Sequence, residues 1–355
     1  FFKLVTFVEY STAKKSLMNE KTTIYDIAKA LNVTAATVSR ALNNNPKISA
    51  ATRKLVMETA AKMNYKQNKL ALALKSGKSN NVGVVVPYID RNFFSAIIRG
   101  IEEELYPLGY HVIICQTHEQ ESAEIDNINA LLNAQVDGIL MSVSKLSTQT
   151  SHFEHVLNKN VPLVFFDRKK DVKGVSTVTI DDYQAGYNAT KHLIEQGCSK
   201  IAHLSGDWAL EIYKNRYKGY KQALLDNGIT FNKDYVIKTK SDIKAGHKSV
   251  EKLMALETPP DAIFSSSDYV ALGAIQQLKK MGVKIPDDFC VIGFSNEPFT
   301  KFMELSMSTV DQLPVEMGKM SAKVFLEQVK ESNVKIEKKV VLAPNLKIRA
   351  TSTKK

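Results

Sequence analysis

The sequence contains few cysteines and no long apolar run. Its three cysteines, Cys115, Cys198 and Cys290, lie far apart in 355 residues. An odd number without C-x-x-C spacing predicts neither a disulfide framework nor a thiolate metal site, and is typical of a reduced, cytoplasmic protein. No apolar segment approaches the roughly 20 residues that a membrane-spanning helix needs, so we expect no membrane partner. The chain is long enough for two or three globular domains.

Sequence motifs for catalysis are also lacking. The chain contains no GxxxxGKS/T phosphate-binding loop, no GxGxxG after a strand and no GxSxG nucleophile elbow. His152 and His155 are three residues apart in a polar helical segment, which favours a solvent-exposed helix face over a metal site. We therefore predict no enzyme activity, no metal and no cofactor.

Acidic residues are scarce in the N-terminal part of the chain. Residues 1–80 contain 14 lysines and arginines but 4 aspartates and glutamates, so they hold a net charge of +10 out of the total of +11. The remaining 275 residues, with 34 basic and 33 acidic side chains, are almost neutral. Such an asymmetry predicts that the N-terminal part binds a polyanion such as nucleic acid.

The first residues resemble a signal peptide only weakly. Glu9 and Lys14 interrupt the apolar run, and no small-residue cleavage site follows. The helical pattern begins only after Met18. We expect residues 1–21 to be a disordered extension, with Met18 as the biological start.

Residues 22–67 predict three short helices, which form a small all-α head. Thr23, Thr34 and Ser49 each stand where a helix N-cap is expected, and apolar residues follow at helical spacing. Residues 68–80 predict a helix of about two turns followed by a linker. A helix this short is marginal in water by itself, so it needs a partner to form.

The middle helix of the head, within the stretch NVTAATVSRALN, has an unusual outer face. This face is too small to pack a large core and carries too little charge for an ordinary solvent-exposed surface. It consists of Ala35, Ala36, Thr37, Ser39 and Arg40. Such a surface is suited to approach another molecule closely.

From Val82 onward, short runs rich in β-branched residues alternate with amphipathic helical segments. This alternation predicts doubly wound parallel sheets, because strands buried on both faces read as continuous apolar runs. Around ten such units over 270 residues are too many for one sheet. We therefore expect two α/β lobes.

Polar and aromatic residues follow five of these predicted strands. Ligands of open α/β sheets bind beyond the carboxyl ends of the strands. Aromatic faces together with carboxylate and guanidinium groups suit a sugar, although a helix cap or a surface ion pair remains the alternative for any single residue. The strand-end residues are Phe93, Phe94, Asp167, Arg168, Trp208, Ser267, Asp268, Ser295 and Asn296.

The head and the body together resemble one protein family. The stretch from TIYDIAKALNVTAATVSRALNNNPKIS to MNYKQN resembles the DNA-binding head of the lactose-repressor (LacI) family of bacterial transcription regulators. In the body, VGVVVP, GIEEELYPLGY, DDYQAG, ALGAIQQLKKMG, VIGFSN and STVDQLPVEMG resemble that family's effector domain, which shares its fold with periplasmic sugar-binding proteins. The resemblance covers about residues 22–352.

This resemblance implies a helix-turn-helix head and a periplasmic-binding-protein-like body of two Rossmann-like subdomains with parallel sheets. Residues 22–67 then form the DNA-binding domain, 68–80 the hinge helix and linker, and 81–352 the effector-binding and dimerisation domain. The N-subdomain is expected at about 81–170 and 311–338, and the C-subdomain at about 175–308 and 341–352. The family also implies a homodimer on a near-palindromic operator and a small-molecule effector.

In the head, the resemblance assigns base reading to Ala35, Ala36 and Arg40, with Arg40 as the guanine reader. Leu74, in the hinge helix, matches the leucine that enters the central minor groove, although Gln67 and Leu72 replace the usual proline and arginine. The residues expected to hold phosphates or flank these contacts are Thr23, Tyr25, Thr34, Thr37, Ser39, Asn43 and Asn68.

In the body, Phe93 and Phe94 match an aromatic pair that sandwiches the sugar, and Asp167 and Arg168 match an Asp–Arg hydroxyl clamp. The sequence departs from the sugar-binding pattern at three positions, which argues against simple ribose recognition. Arg91 there favours an acidic or phosphorylated sugar, or else faces solvent. The remaining residues expected to bind the effector are Arg91, Trp208, Arg216, Ser267, Asp268, Ser295, Asn296 and Gln312.

We therefore predict a sugar-responsive transcription regulator, with repression as the commoner mode in the family. A periplasmic-type sugar receptor would share the body but would lack the basic head. The chain ends at KIRATSTKK, which leaves no room for a long C-terminal heptad helix, so a dimer is favoured over a tetramer. The effector, the operator and the sign of the response stay open.

Overall fold

The computed structural model describes residues 22–66, 78–330 and 337–354, which divide into two compact units at Gly77. The first unit consists of three helices: α1 Ile24–Ala30, α2 Ala35–Leu42 and α3 Ala50–Lys62. Its small core contains Ile27, Ala28, Val38, Ala41, Val56 and Ala60. The predicted extension and hinge helix lie outside the described residues.

Hydrogen bonds at the helix ends fix the three helices of this head. Thr34 accepts from the Thr37 N–H at 3.2 Å, and Ser49 accepts from the Thr52 N–H at 3.2 Å. Both N-caps are confirmed, since each satisfies an amide that has no partner within its helix. At α1 the backbone N–H and the hydroxyl of Thr23 both donate to Asp26 Oδ2, at 2.8 and 2.7 Å.

The second unit is an α/β body that contains two six-stranded sheets. Its first half consists of β1 Asn81–Val86, α4 Asn92–Leu105, β2 His111–Gln116, α5 Glu121–Asn133, β3 Gly138–Met141, α6 Ser151–Asn158, β4 Leu163–Phe166 and β5 Ser176–Ile180. The next part consists of α7 Asp182–Glu195, β6 Ile201–Ser205, α8 Glu211–Asp226, β7 Val236–Lys238, α9 Ile243–Met254, β8 Ala262–Ser265, α10 Asp268–Lys280 and β9 Cys290–Phe294. The last part consists of α11 Phe299–Phe302, β10 Ser308–Asp311, α12 Pro314–Lys330, β11 Lys339–Leu342 and β12 Asn345–Lys347.

The strand order defines two lobes. The first lobe has the sheet β11-β5-β4-β3-β1-β2, and the second has β12-β10-β9-β8-β6-β7. All neighbouring strands run parallel except β10 and β12. The chain passes between the lobes after β5, after β10 and after β11. The predicted doubly wound fold with two parallel sheets is confirmed.

The predicted division between the lobes differs from the structure at two strands. We assigned residues 175–180 and 341–342 to the C-subdomain, but β5 pairs with β4 and β11 in the first sheet. The composition of a strand does not reveal its partner, because buried strands of either sheet are equally apolar. The first crossover therefore follows Ile180 rather than residue 170.

Pairs of glycines allow three helix pairs of the body to pack closely. A Cβ at Gly100 on α4 would overlap the Val315 carbonyl oxygen of α12, and one at Gly318 would overlap the Ile97 carbonyl oxygen. The same reciprocal contact occurs between α7 and α8, at Gly186 and Gly219, and between α9 and α10, at Gly246 and Gly273. The backbones approach so closely that no side chain fits between them.

We predict that Gly246→Ala lowers the free energy of unfolding by about 1–3 kcal/mol, because the new methyl group overlaps the backbone of α10. Denaturant titration of the purified protein measures this change. Lys248→Ala, at an exposed position of the same helix, is the control and should stay within about 0.5 kcal/mol of the wild type. Equal stability of Gly246→Ala and the wild type would contradict the close packing.

Candidate functional site

Helix α2 presents a shallow polar face on the head. Val38 and Ala41 point into the core, so the opposite side of the helix is left to small side chains. The α2 residues expected to face DNA are all exposed or half-buried, with Ala35 packed partly against the core: Ala35, Ala36, Thr37, Ser39 and Arg40. A helix with such a face fits a major groove about 12 Å wide without steric hindrance.

The residues expected to flank this face are also at the surface. Tyr25, at the start of α1, is 71% exposed. Asn43, at the C-terminal end of α2, donates from Nδ2 to the Ser39 carbonyl oxygen at 2.8 Å. Asn68 and Leu74 lie outside the described residues, so their expected contacts stay predictions.

A cavity of about 660 Å³ lies between the two lobes of the body. It opens at the carboxyl ends of the strands, where open α/β sheets bind ligands. Ten of the twelve residues expected to bind the effector line it: Arg91, Phe93, Phe94, Asp167, Arg168, Arg216, Ser267, Asp268, Ser295 and Gln312. Seven of these ten come from the strand-end pattern, and the family resemblance adds Arg91, Arg216 and Gln312.

Two of the twelve residues do not line the cavity. Trp208 donates from Nε1 to Ser205 Oγ at 2.9 Å, and its ring packs on Tyr217 with centroids 4.6 Å apart. Asn296 accepts from the Arg349 guanidinium at 2.8 Å and donates to Asp311 Oδ2 at 3.0 Å. Both side chains make these contacts within the second lobe, and their contact with the effector stays a prediction.

Phe93 and Phe94 start α4 and are almost fully buried. Their ring centroids are 5.2 Å apart and the ring planes meet at 68°. They therefore form an edge-to-face pair, which is a favourable aromatic geometry, rather than two parallel plates. Their predicted contact with a sugar stays a prediction.

Asp167 and Arg168 follow β4 and are held by a residue that sequence reasoning missed. Glu119 accepts from Arg168 Nη1 with both carboxylate oxygens, at 2.8 and 2.9 Å, and from the Lys145 N–H at 2.7 Å. Arg168 Nε is buried, lies 3.6 Å from Asp167 Oδ2, and has no hydrogen-bond partner among the described residues. Burial raises the pKa of Asp167 above its usual value. These groups remain available to hydroxyls of a ligand.

Arg216 of α8 forms a network across the floor of the cavity. Its Nε donates to Asp182 Oδ1 at 2.7 Å, and its Nη2 donates to Gln312 Oε1 at 3.2 Å. Gln312 in turn donates to Ser295 Oγ at 3.1 Å. Burial raises the pKa of Asp182 to about 6 despite the neighbouring guanidinium, because loss of hydration outweighs that attraction.

Asp268, at the start of α10, has mainly a structural role. Its carboxylate accepts from the Glu297 N–H at 2.8 Å and from the Thr309 hydroxyl at 2.7 Å, which joins the loops after β8 and β9 to β10. Burial raises the pKa of Asp268 to about 7. Because both carboxylate oxygens accept hydrogen bonds from these loops and from β10, Asp268 holds this part of the cavity wall in place.

Arg91 connects the two lobes rather than facing only solvent. Its guanidinium carbon lies 5.1 Å from the centroid of the Tyr269 ring, which belongs to the second lobe. The positive charge of Arg91 lowers the pKa of Glu297, although burial of that carboxyl raises it more. A cation on an aromatic face is a stabilising contact, and it places Arg91 on the cavity wall.

Three residues that line this cavity have a backbone conformation with positive φ. The φ angles of Asp167, Ser295 and Glu119 are +60°, +118° and +64°. Each such residue other than glycine costs of order 1–3 kcal/mol, and this strain is concentrated at ligand sites. The sequence contains no signal for this backbone geometry.

Sequence reasoning missed several polar or aromatic residues of the wall, among them Tyr88, Glu119, Tyr269 and Glu297. Each follows a strand within four residues, so a wider strand-end window would have found them. The prediction for His152 was wrong, because its ring is buried and its Nε2 lies 2.9 Å from Glu124 Oε1. Within the described ranges, no group of histidine, cysteine and acidic side chains is arranged to hold a metal ion.

Comparison with known families decides the identity of this architecture. The family described as bacterial regulatory proteins, lacI family, matches residues 23–68. The family described as periplasmic binding proteins and sugar binding domain of LacI family matches residues 79–348. The chain belongs to the LacI family.

LacI-family relatives cover the whole architecture. The HTH-type transcriptional regulator DegA of Bacillus subtilis is 33% identical over 94% of this chain and 98% of its own length. The transcriptional regulator CelR, solved as a cellobiose complex, is 25% identical, with a TM-score of 0.70 over 93% of this chain and 100% of its own. The lac repressor dimer bound to operator shares the fold, with a TM-score of 0.83 and 22% identity over 94% of this chain and 99% of its own.

Membership in the LacI family makes this chain a helix-turn-helix transcription regulator with an effector-binding body. The predicted family and fold class are confirmed. Among the helices that the structure describes, none has both the length and the apolar character needed to cross a membrane.

We predict that, as the pH rises from about 4 to about 7, the free energy of unfolding of the wild-type LacI-family protein falls relative to that of the Asp268→Asn variant. The folded pKa of Asp268 lies near 7 and the unfolded pKa near 3.8, so folding takes up a proton in this window and loses stability as the pH rises. The difference in free energy of unfolding between the two proteins should change by at most about 1.4 kcal/mol per pH unit. Denaturant titrations of both proteins at several pH values measure it; a constant difference would contradict the assignment.

Proposed function

We propose that this chain acts in the bacterial cytoplasm as a homodimer that binds a near-palindromic operator, and that a sugar-like effector in the interlobe cavity controls its affinity for DNA. One observation carries this proposal. A single chain combines a helical head with a small exposed face on α2 and a body with a polar and aromatic cavity at the carboxyl ends of two parallel sheets.

For the head we propose residues 22–67 as the DNA-binding domain and 68–80 as the hinge and linker. Ala35 and Ala36 allow close approach and offer apolar contact, for instance to thymine methyl groups, whereas Arg40 has the fork that matches guanine. Phosphate contacts would then fix the register without reading sequence. Their proposed donors are Thr23, Tyr25, Thr34, Thr37, Ser39, Asn43 and Asn68, with Leu74 entering the minor groove.

For the body we propose that residues 81–352 bind the effector and form the dimer. Arg168 Nε, which has no hydrogen-bond partner among the described residues, the Asp167 carboxyl and the Phe93–Phe94 rings provide the donors, acceptors and apolar faces that a sugar needs. The relative CelR was solved with a saccharide, and the lac repressor as an operator-bound dimer, which supports both parts of this proposal. Repression is the mode that we propose.

A periplasmic-type receptor is the second candidate, because it would share the body. The presence of the basic three-helix head in the same chain argues against it.

We predict that Arg40→Ala relaxes base preference at one position of each half-site by roughly 10- to 100-fold, because a bidentate guanine contact is lost. Selection of binding sites from random DNA by the wild type and by the variant measures this preference. Lys62→Ala, which removes an equal charge at the end of α3, is the control and should leave the preference unchanged. An identical selected site for Arg40→Ala would show that α2 does not read this base.

We predict that a saccharide changes the affinity of the wild type for DNA from its own gene neighbourhood, and that Arg168→Gln loses this response while keeping operator binding. A gel shift with and without a panel of sugars measures both. Lys169→Gln is the matched control, since Lys169 does not line the 660 Å³ cavity. If DNA binding is absent in the wild type, the proposed function is wrong.

A further inference from the structure

The walls of the interlobe cavity hold six basic side chains, and their partners differ. Three of them are neutralised within the protein. Arg168 is bound to Glu119, Arg216 to Asp182 at 2.7 Å, and Lys145 to Asp207 at 2.8 Å. The other three are Arg91, Lys238 and Lys240.

Among residues 22–66, 78–330 and 337–354, no carboxylate lies at ion-pair distance from these three basic residues. Arg91 lies on the ring of Tyr269, and Lys238 Nζ lies 4.0 Å from the centroid of the Trp208 ring. An aromatic face attracts a cation but has no net charge, so the positive charge is not neutralised. Lys240 forms no ion pair within the part of the chain that the structure describes.

The acidic groups of the wall compensate these charges only in part. Asp207 is already bonded to Lys145, and that bond is the main reason for its lowered pKa, with Lys238 adding a smaller effect. Burial raises the pKa of Glu297 and raises that of Asp268 to about 7, because desolvation disfavours the charged form of both carboxyls.

Lys238 and Lys240 belong to a segment, residues 238–241, in which four consecutive residues line the cavity. The segment reads Lys-Thr-Lys-Ser and follows β7, so it stands at the carboxyl end of a strand. The next residue, Asp242, is not part of the wall. Its carboxylate accepts from the Ala245 N–H at 2.8 Å and caps α9. The segment therefore offers ammonium and hydroxyl groups, and the acidic residue next to it in the sequence does not line the cavity.

We propose that the effector carries an anionic group, a carboxylate or a phosphate, which binds to the 238–241 segment. This inference rests on the proposed function, because it specifies the chemistry of the same effector. Charge-assisted hydrogen bonds from Lys238 and Lys240 hold the anion, while the neutral part of the effector meets Asp167, Arg168 and the aromatic pair. Arg91 adds positive potential from the opposite lobe.

The test compares the full-length wild type with the double variant Lys238→Gln/Lys240→Gln. The probes are inorganic phosphate, D-glucose 6-phosphate and D-glucuronate, each against potassium chloride at equal ionic strength. Thermal unfolding and calorimetric titration measure binding. Lys248→Gln, an exposed charge change on α9 outside the cavity, is the matched control.

We expect inorganic phosphate and at least one sugar anion to raise the Tm of the wild type and of the control beyond the chloride effect. The double variant should bind these probes roughly tenfold more weakly or worse, since two charged donors are lost. A larger response to D-glucose 6-phosphate than to D-glucuronate assigns the site to a phosphate, and the reverse assigns it to a carboxylate.

Equal Tm shifts in the wild type and the double variant would mean that anions bind elsewhere, for instance on the basic head, and would overturn the proposal. The absence of any shift would also overturn it. A neutral sugar that controls operator binding equally in both proteins would overturn the anionic subsite and leave the proposed function standing. Conversely, failure of the wild type to bind DNA would refute the proposed function without changing the thermal result.

Discussion

The buried guanidinium of Arg216 is the contact on which the cavity depends. Arg216 is 3% exposed to solvent. A buried charge is stable only when it is paired and fully hydrogen-bonded. Asp182 follows the first crossover between the lobes and Gln312 lies at the second, so one side chain joins both connections. The Phe294 ring covers the guanidinium on another side, with its centroid 3.5 Å from the guanidinium carbon. Removing one partner of such a pair typically costs 3–5 kcal/mol.

Backbone packing and the polar network meet at this same residue. The carbonyl oxygen of Arg216 lies against Gly186 of α7, where no side chain fits, so the position of α8 on α7 fixes the position of the guanidinium. Asp182 is on the first turn of α7, which brings the carboxylate and the arginine together without a long flexible segment. The floor of the cavity is therefore ordered before a ligand binds, which lowers the entropic cost of binding.

The sequence was sufficient for the fold and for ten residues of the cavity wall, because the fold and the strand ends follow from local patterns. Alternating apolar strands and helices indicate parallel sheets, and polar residues after strands indicate their ligand-binding ends. The sequence was not sufficient for partners that are distant in the chain. Nothing near Arg168 identifies Glu119, and Trp208 and Asn296 follow strands but pack within their own lobe. The exposed pattern around His152 also gave no sign of its buried bond to Glu124.

Control of DNA binding by this cavity requires contacts from both lobes. A ligand shifts an equilibrium between two arrangements only by the difference of its affinities for them. Asp167 and Arg168 belong to the first lobe, whereas Arg216 and the 238–241 segment belong to the second. An effector that touched one lobe alone would bind without favouring either arrangement of the lobes. An effector long enough to reach from the Asp–Arg pair to the second-lobe wall gains its full contacts in one arrangement only, and this difference is the free energy available for regulation.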